Sequence, residues 1–209
     1  MASMASMTDP AAPFALHHIS VSEMDNNVYL ISSGGQGLLV DAAADAPAIL
    51  DMAAQAGVEI TDVLTTHRHA DHTRALGEVL QRTGAIHWAS FLDSPALPAG
   101  VDKQLGEGDA VEFAGRRLDT MILRGHTPGG VAIVVDIDGT PNAFVGDSLF
   151  PGGLGKTVGE GEFVRLFNEV TTKLFDVYPD ATIVRPGHGL PTTLGEERGH
   201  LDEWWRRRW

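Results

Sequence analysis

Four apolar segments of this chain each run out into a histidine or an aspartate, and that pattern limits the fold more than any other feature. Leu64, Leu123, Val145 and Val184 close short apolar runs, and His67, His126, Asp147 and His188 follow within four residues. In three of the four cases the intervening positions hold Gly125, Gly146, or Pro186 with Gly187. These residue types permit tight turns and close backbone approach. Strand ends that deliver polar side chains to comparable places are how layered α/β domains build sites.

The rest of the patterning agrees with strands interrupted by helices. Residues 28–32 and 37–41 flank Ser33-Gly-Gly-Gln-Gly37 and read as a hairpin. Ile49, Met52 and Ala53 keep helical spacing in a helix ending near Gly57, and Ala75, Leu76, Val79 and Leu80 give a second helix its apolar stripe. Further strands are predicted at 62–65, 85–89, 110–113, 118–123, 130–136, 143–145 and 182–184, with helices at 163–175 and 195–205. Two sheets with helices outside them follow, an α/β layered domain.

Composition excludes several function classes. The longest unbroken apolar run is five residues, from Val131 to Val135, against roughly eighteen for a membrane-spanning helix. A net charge of −13 argues against nucleic acid or an anionic membrane as partner and leaves a small-molecule substrate. Arg206, Arg207 and Arg208, the only basic run, read as a solvated helix end. With no cysteine, disulfides, thiolate metal sites and cysteine nucleophiles are excluded, so any metal must use His, Asp or Glu. Met1-Ala-Ser-Met-Ala-Ser-Met7 has no apolar signal-peptide core. Residues 1–12 are therefore taken as a disordered leader, residues 13–209 as one domain, and the expected compartment is the cytoplasm.

The densest cluster is Thr66-His67-Arg68-His69-Ala70-Asp71-His72-Thr73. His67 and His69, two apart on an extended segment, point the same way. Asp71 and His72 fall at the turn toward the next helix. Asp71 alone would read as a helix cap, and any one histidine as a surface or core residue. Together, beside a strand end, they read as metal ligands, one cation taking the first pair and a second the other. Gly125-His126-Thr127-Pro128-Gly129-Gly130 and Pro186-Gly187-His188-Gly189 each add an imidazole, and Gly146-Asp147-Ser148 adds a carboxylate able to bridge two cations.

HxHxDH, GHTPGG, GDSLF and PGHG, in this order from about Asp25 to His188, resemble the metallo-β-lactamase fold superfamily. Within it the chain is most similar to glyoxalase II (hydroxyacylglutathione hydrolase) and related thioesterases. The resemblance implies a four-layer αβ/βα sandwich with the site at one edge. It implies one metal held by His67, His69 and His126, another by Asp71, His72 and His188, and Asp147 bridging them. Asp71 and Asp147 are the expected catalytic carboxylates. The cofactor expected is a pair of divalent ions, zinc first, with iron or manganese as alternatives.

The chemistry follows from charge. Two divalent cations less two carboxylates and one hydroxide leave roughly +1, and metal binding can bring the pKa of water to about 7. The resulting hydroxide attacks a carbonyl, a cation stabilises the oxyanion, and a thiolate leaves without strong protonation. Hydrolysis of an acyl thioester of a small thiol is the expected activity. Within Phe150-Pro-Gly-Gly-Leu-Gly-Lys156-Thr157, Lys156 matches the glyoxalase II lysine that helps hold a carboxylate-bearing thiol carrier. Only about twenty residues follow His188, where glyoxalase II has a further helical region. Glutathione specificity is therefore not implied, and the carrier stays open between glutathione and another small thiol such as mycothiol or bacillithiol, with Trp204 and Trp205 anchoring a terminal helix. Lactonases share all seven ligands. Persulfide dioxygenases of this family use one iron, and a binding module on this fold should have lost ligands.

Overall fold

The structure, a computed structural model, describes residues 12–208. The expected leader lies outside the described residues, Ala12 excepted. Strands β1 (Ala15–Val21), β2 (Asn26–Ser33) and β3 (Gln36–Val40) form an antiparallel meander. Helix α1 (Ala46–Ala56) then leads to β4 (Glu59–Leu64), parallel to β3. A 3-10 turn at Ala70–His72 and α2 (Leu76–Thr83) lead to β5 (Ile86–Ser90), and β6 (Lys103–Leu105) completes the first sheet in the order β1-β2-β3-β4-β5-β6.

The second sheet begins with the antiparallel strands β7 (Ala110–Phe113), β8 (Arg116–Leu123), β9 (Gly130–Ile137) and β10 (Thr140–Gly146). A small hairpin follows, β11 (Leu149–Phe150) with β12 (Gly153–Leu154), and then α3 (Glu160–Val170). Strand β13 (Ile183–Pro186) joins β10 in parallel, and β14 (Thr192–Thr193) closes the order β14-β13-β10-β9-β8-β7. Helices α4 (Leu194–Arg198) and α5 (Leu201–Arg207) end the described chain. Each sheet is thus made from one continuous stretch of chain.

Period-two alternation assigns the layers. On β2 and β3, Val28, Leu30 and Leu39 turn toward Ile49 and Met52 of α1 and Leu76 and Val79 of α2. Their neighbours Tyr29, Ile31, Leu38 and Val40 turn the other way, onto Ile122, Val131, Ile133 and Phe144 of the second sheet. The far face of that sheet, through Leu123, Ala132, Ala143 and Val145, meets Leu166 and Val170 of α3 and Trp204 of α5. Helix, sheet, sheet, helix is the observed order. Because successive strand residues face opposite ways, each side chain serves one of these three cores. Full burial of each such aliphatic residue contributes about 1.5–3 kcal/mol.

Local signals set the helix ends. Asp45 accepts a hydrogen bond from the Ala48 amide at the start of α1, Pro47 occupies its first turn, and Gly57 closes it in the left-handed conformation. Thr193 and Glu196 form a capping box on α4. Two expected helices differ in detail. The segment expected at 163–175 starts three residues earlier and leaves α geometry for a π-helical turn at Thr171–Phe175. The one expected at 195–205 is broken between α4 and α5, where the His200 amide bonds back to the Glu197 carbonyl.

Strands β8, β10 and β13 run in one direction, so their carboxyl ends share an edge. That edge meets the carboxyl end of β4 from the other sheet. The strand-end loops read from the sequence therefore converge where the two sheets face each other.

Candidate metal centre

Chain order brings the seven expected ligands to one place. His67, His69, Asp71 and His72 follow β4; His126 follows β8, Asp147 follows β10 and His188 follows β13. His67, His69 and His126 form one group whose donor atoms lie within 4.8 Å of one another, and Asp71, His72 and His188 form another. Asp147 stands between them. Its Oδ2 is 3.5 Å from His126 Nε2 and 3.5 Å from His188 Nε2, and its Oδ1 is 3.4 Å from His72 Nε2. Each group draws residues from both sheets.

The backbone permits this crowding at particular points. Gly146 has φ +51, and a Cβ there would come within 2.8 Å of Thr66 Cβ, so a side chain would force the β4 and β10 loops apart. Gly125 has φ +138, and a Cβ would lie 2.6 Å from Leu166 Cβ. That absence of a side chain lets the His126 loop lie flat on α3. The 3-10 turn at Ala70–His72 aims Asp71 and His72 inward ahead of α2. Asp71 does not cap that helix: its Oδ2 accepts a hydrogen bond from Asn26 Nδ2 at 2.9 Å.

Hydrogen bonds behind the rings fix which nitrogen faces the centre. Carbonyl and carboxylate oxygens only accept, so the nitrogen beside each must donate. His126 Nδ1 donates to the Lys156 carbonyl (2.7 Å), His188 Nδ1 to the Met24 carbonyl (2.8 Å) and His72 Nδ1 to Asp41 Oδ2 (2.9 Å). Thr66 Oγ1 donates to Asp41 Oδ2 (2.7 Å), which leaves it to accept from His67 Nδ1 (3.0 Å). In each of these four rings Nε2 is turned inward, where it could serve as a metal ligand.

The inward atoms lack protein partners suited to them. His67 Nε2 is buried without a hydrogen bond, and Asp147 Oδ1 has only the long 3.4 Å approach of His72 Nε2. His72 Nε2 lies 3.0 Å from His188 Nε2, and His69 Nδ1 lies 3.0 Å from His126 Nε2. Two imidazole nitrogens that close need a proton or a cation between them. A donor set of imidazole nitrogens and carboxylate oxygens suits zinc, iron or manganese. The residues fit the cations expected of them.

The two groups differ electrostatically. Burial, reinforced by the neighbouring His72, holds His67 well below the ordinary histidine pKa, and burial with His126 lowers His69. Burial also disfavours the charged form of His72, but hydrogen bonds with Asp147 and Asp41 overcome it and push its pKa up to about 10. The hydrogen bond to Asp147 raises His188 against its own burial. Burial acts to raise Asp147, yet bonds from His188 and His72 hold it far below the usual carboxylate range. Burial likewise opposes ionisation of Asp71, and the Asn26 hydrogen bond and the His72 charge outweigh it.

Lys156 is placed less centrally. Its backbone carbonyl holds His126, while its side chain is exposed on the loop after β12. Two residues behind the centre were not singled out from sequence. Asp41 could have been, because it ends an apolar strand as the ligands do. Asn26 carries no such signal, since only the approach of β2 to the β13 loop gives it a role. Trp204 is buried among Phe175 and the third core, whereas Trp205 is 36% exposed against Phe167.

The profile of the metallo-beta-lactamase superfamily matches residues 21–196. The chain belongs to that superfamily. It is 35% identical over 166 residues to a hydroxyacylglutathione hydrolase of Fuscovulum blasticum, covering 78% of this chain and 62% of that protein. The chain thus spans about three fifths of that relative's length. It is 26% identical over 200 residues to the hydroxyacylglutathione hydrolase GloC of Haemophilus influenzae, covering 86% of this chain and 93% of the other. Among solved structures it resembles ETHE1 from Myxococcus xanthus, with a TM-score of 0.76, 30% identity, and coverage of 90% and 83%. None of the described helices is long and apolar enough to cross a membrane.

Proposed function

We propose that this protein is a binuclear metal-dependent hydrolase that cleaves acyl thioesters of a small thiol. The observation that carries the reading is the position of Asp147, whose carboxylate reaches the His126 and His188 rings at equal distances of 3.5 Å. A carboxylate so placed joins two three-residue groups into one centre. The names of the two curated relatives support a thioester as the substrate class.

His67, His69 and His126 would hold one cation, Asp71, His72 and His188 the other, and Asp147 both. When bound, such ions supply Lewis acidity toward a carbonyl oxygen and acidify water near neutral pH. The chain's own residues do the rest. Asp71 is ionised, and Asn26 fixes its Oδ2 in the orientation that a metal ligand needs. Asp41 locks His72 through Nδ1, and the Lys156 and Met24 carbonyls lock His126 and His188. These contacts remove the rotational freedom that would blur the geometry of attack. A thiolate needs little help in leaving, which agrees with a centre whose polar groups are all turned to the metals.

The test is a hydrolysis panel run on metal-loaded protein: an acyl thioester of a small thiol, an acyl-homoserine lactone and a chromogenic cephalosporin. The thioester should turn over with kcat/KM at least roughly tenfold above the others, with about two metal ions per chain by elemental analysis. Preference for the lactone would overturn the substrate class. One tightly held iron and no second metal would overturn the binuclear centre.

A further inference from the structure

A cleft of about 310 Å³ opens beside His126, and its wall gathers arginines. Arg68 comes from the loop between His67 and His69, Arg124 precedes Gly125, and Arg165 projects from α3. In a chain of net charge −13, three guanidinium groups around one opening need a reason. Gly125 supplies the structural one. Its missing side chain seats the His126 loop against Leu166, which sets Arg165 next to the ligand loop.

The three arginines are not equivalent. Glu169 takes up Arg124 completely, accepting from its amide at 2.7 Å and from its Nε at 2.6 Å. Arg68 faces Asp93 loosely, with 3.9 Å between Nε and Oδ1. Arg165 is exposed and makes no ion pair among the described residues. Glu162, one turn earlier on α3, also lines the mouth, and it opposes the arginines. Thr127 also lines the cleft, is only 4% exposed, and its buried Oγ1 has no hydrogen-bond partner.

We propose that this cleft is an anion subsite in which Arg165 and Arg68 hold a carboxylate carried by the substrate on the His126 side of the centre. The proposal rests on the hydrolase reading only for which bond reacts. It assigns the substrate's anionic arm to the arginines around His126, independently of Lys156. Arginine suits this role because its planar fork meets a carboxylate through two donors.

Binding separates the subsite from the activity. The probes are 3-(benzylthio)propanoate, a thioether that cannot be hydrolysed, and its primary amide, titrated by calorimetry or chemical-shift perturbation. The wild-type protein should prefer the carboxylate, and Arg165→Gln should lose roughly fivefold in affinity for it while leaving the amide unchanged. Glu162→Gln should act in the opposite direction and tighten the carboxylate alone, a sign that damaged packing would not produce. Arg165→Lys should recover part of the loss. Equal binding of the two probes by the wild type, or indifference of the carboxylate to Arg165→Gln, would overturn the subsite. Failure of every thioester in the hydrolysis panel would overturn the activity and leave this result standing.

Discussion

The carboxylate of Asp41 lies 2.9 Å from His72 Nδ1, on the opposite edge of the imidazole from the nitrogen that faces the metal centre. Asp41 is itself buried at φ +59, a backbone region that aspartate and asparagine tolerate better than most residues. Its other oxygen accepts from the Thr66 amide at 2.7 Å. One side chain therefore orients the ring and ties β3 to the ligand loop.

Asp41→Asn keeps the backbone conformation and the size but presents an amide N–H where His72 Nδ1–H must donate. Metal affinity should fall by about 10- to 100-fold, the usual cost of removing a carboxylate behind a ligating histidine. A competition titration against a chromophoric chelator measures it. Unchanged affinity would show that His72 needs no support from behind.

Asp147→Ala should weaken both cations together, because both three-residue groups touch the same carboxylate. Metal content after gel filtration should drop from about two toward zero, and kcat/KM by roughly a hundredfold or more. Retention of one full equivalent would limit Asp147 to a single site.

Loading should depend on pH differently for the two groups. His72, raised to about 10, and His188, also raised, hold protons that a cation must displace, whereas His67 and His69 are lowered and already neutral. As pH falls, protons compete first at His72 and His188, in the group that also contains Asp71. Dialysis near pH 5.5 should leave about one metal per chain, on the His67 side, and pH 7.5 about two. For the apo protein the sign is fixed by His72. Its raised pKa contributes stability that is complete below the unfolded value near 6.5 and is lost as pH rises through about 10. Identical occupancies at the two pH values would contradict this ordering.

Trp204→Ala should destabilise the fold by about 3–5 kcal/mol, lowering the melting temperature by roughly 10 °C, because the indole is 1% exposed within the third core. Trp205→Ala should cost far less. Equal losses would mean that α5 is held by both faces.

Most of this architecture was legible because burial and periodicity coincide. The strands at 118–123, 130–136 and 143–145 appear within β8, β9 and β10, and the seven expected ligands converge. What was not legible depends on contacts across the chain. β1 is half exposed, with His17 and His18 among its residues, and has no apolar run to announce it. Asn26 acts through Asp71, 45 positions away, and through His188, 162 positions away. The arginine cleft is invisible in sequence, since Arg68, Arg124 and Arg165 are scattered until Gly125 lets its loop rest on α3.

Each sheet being one unbroken stretch of chain has a consequence for dissection. The turn at residues 106–109 is the covalent crossing between them, and it divides the ligands four to three: His67, His69, Asp71 and His72 before it, His126, Asp147 and His188 after it. A cut there would leave neither fragment with a complete ligand set. Metal retention would then count reunited halves, making the centre its own reporter of fragment complementation.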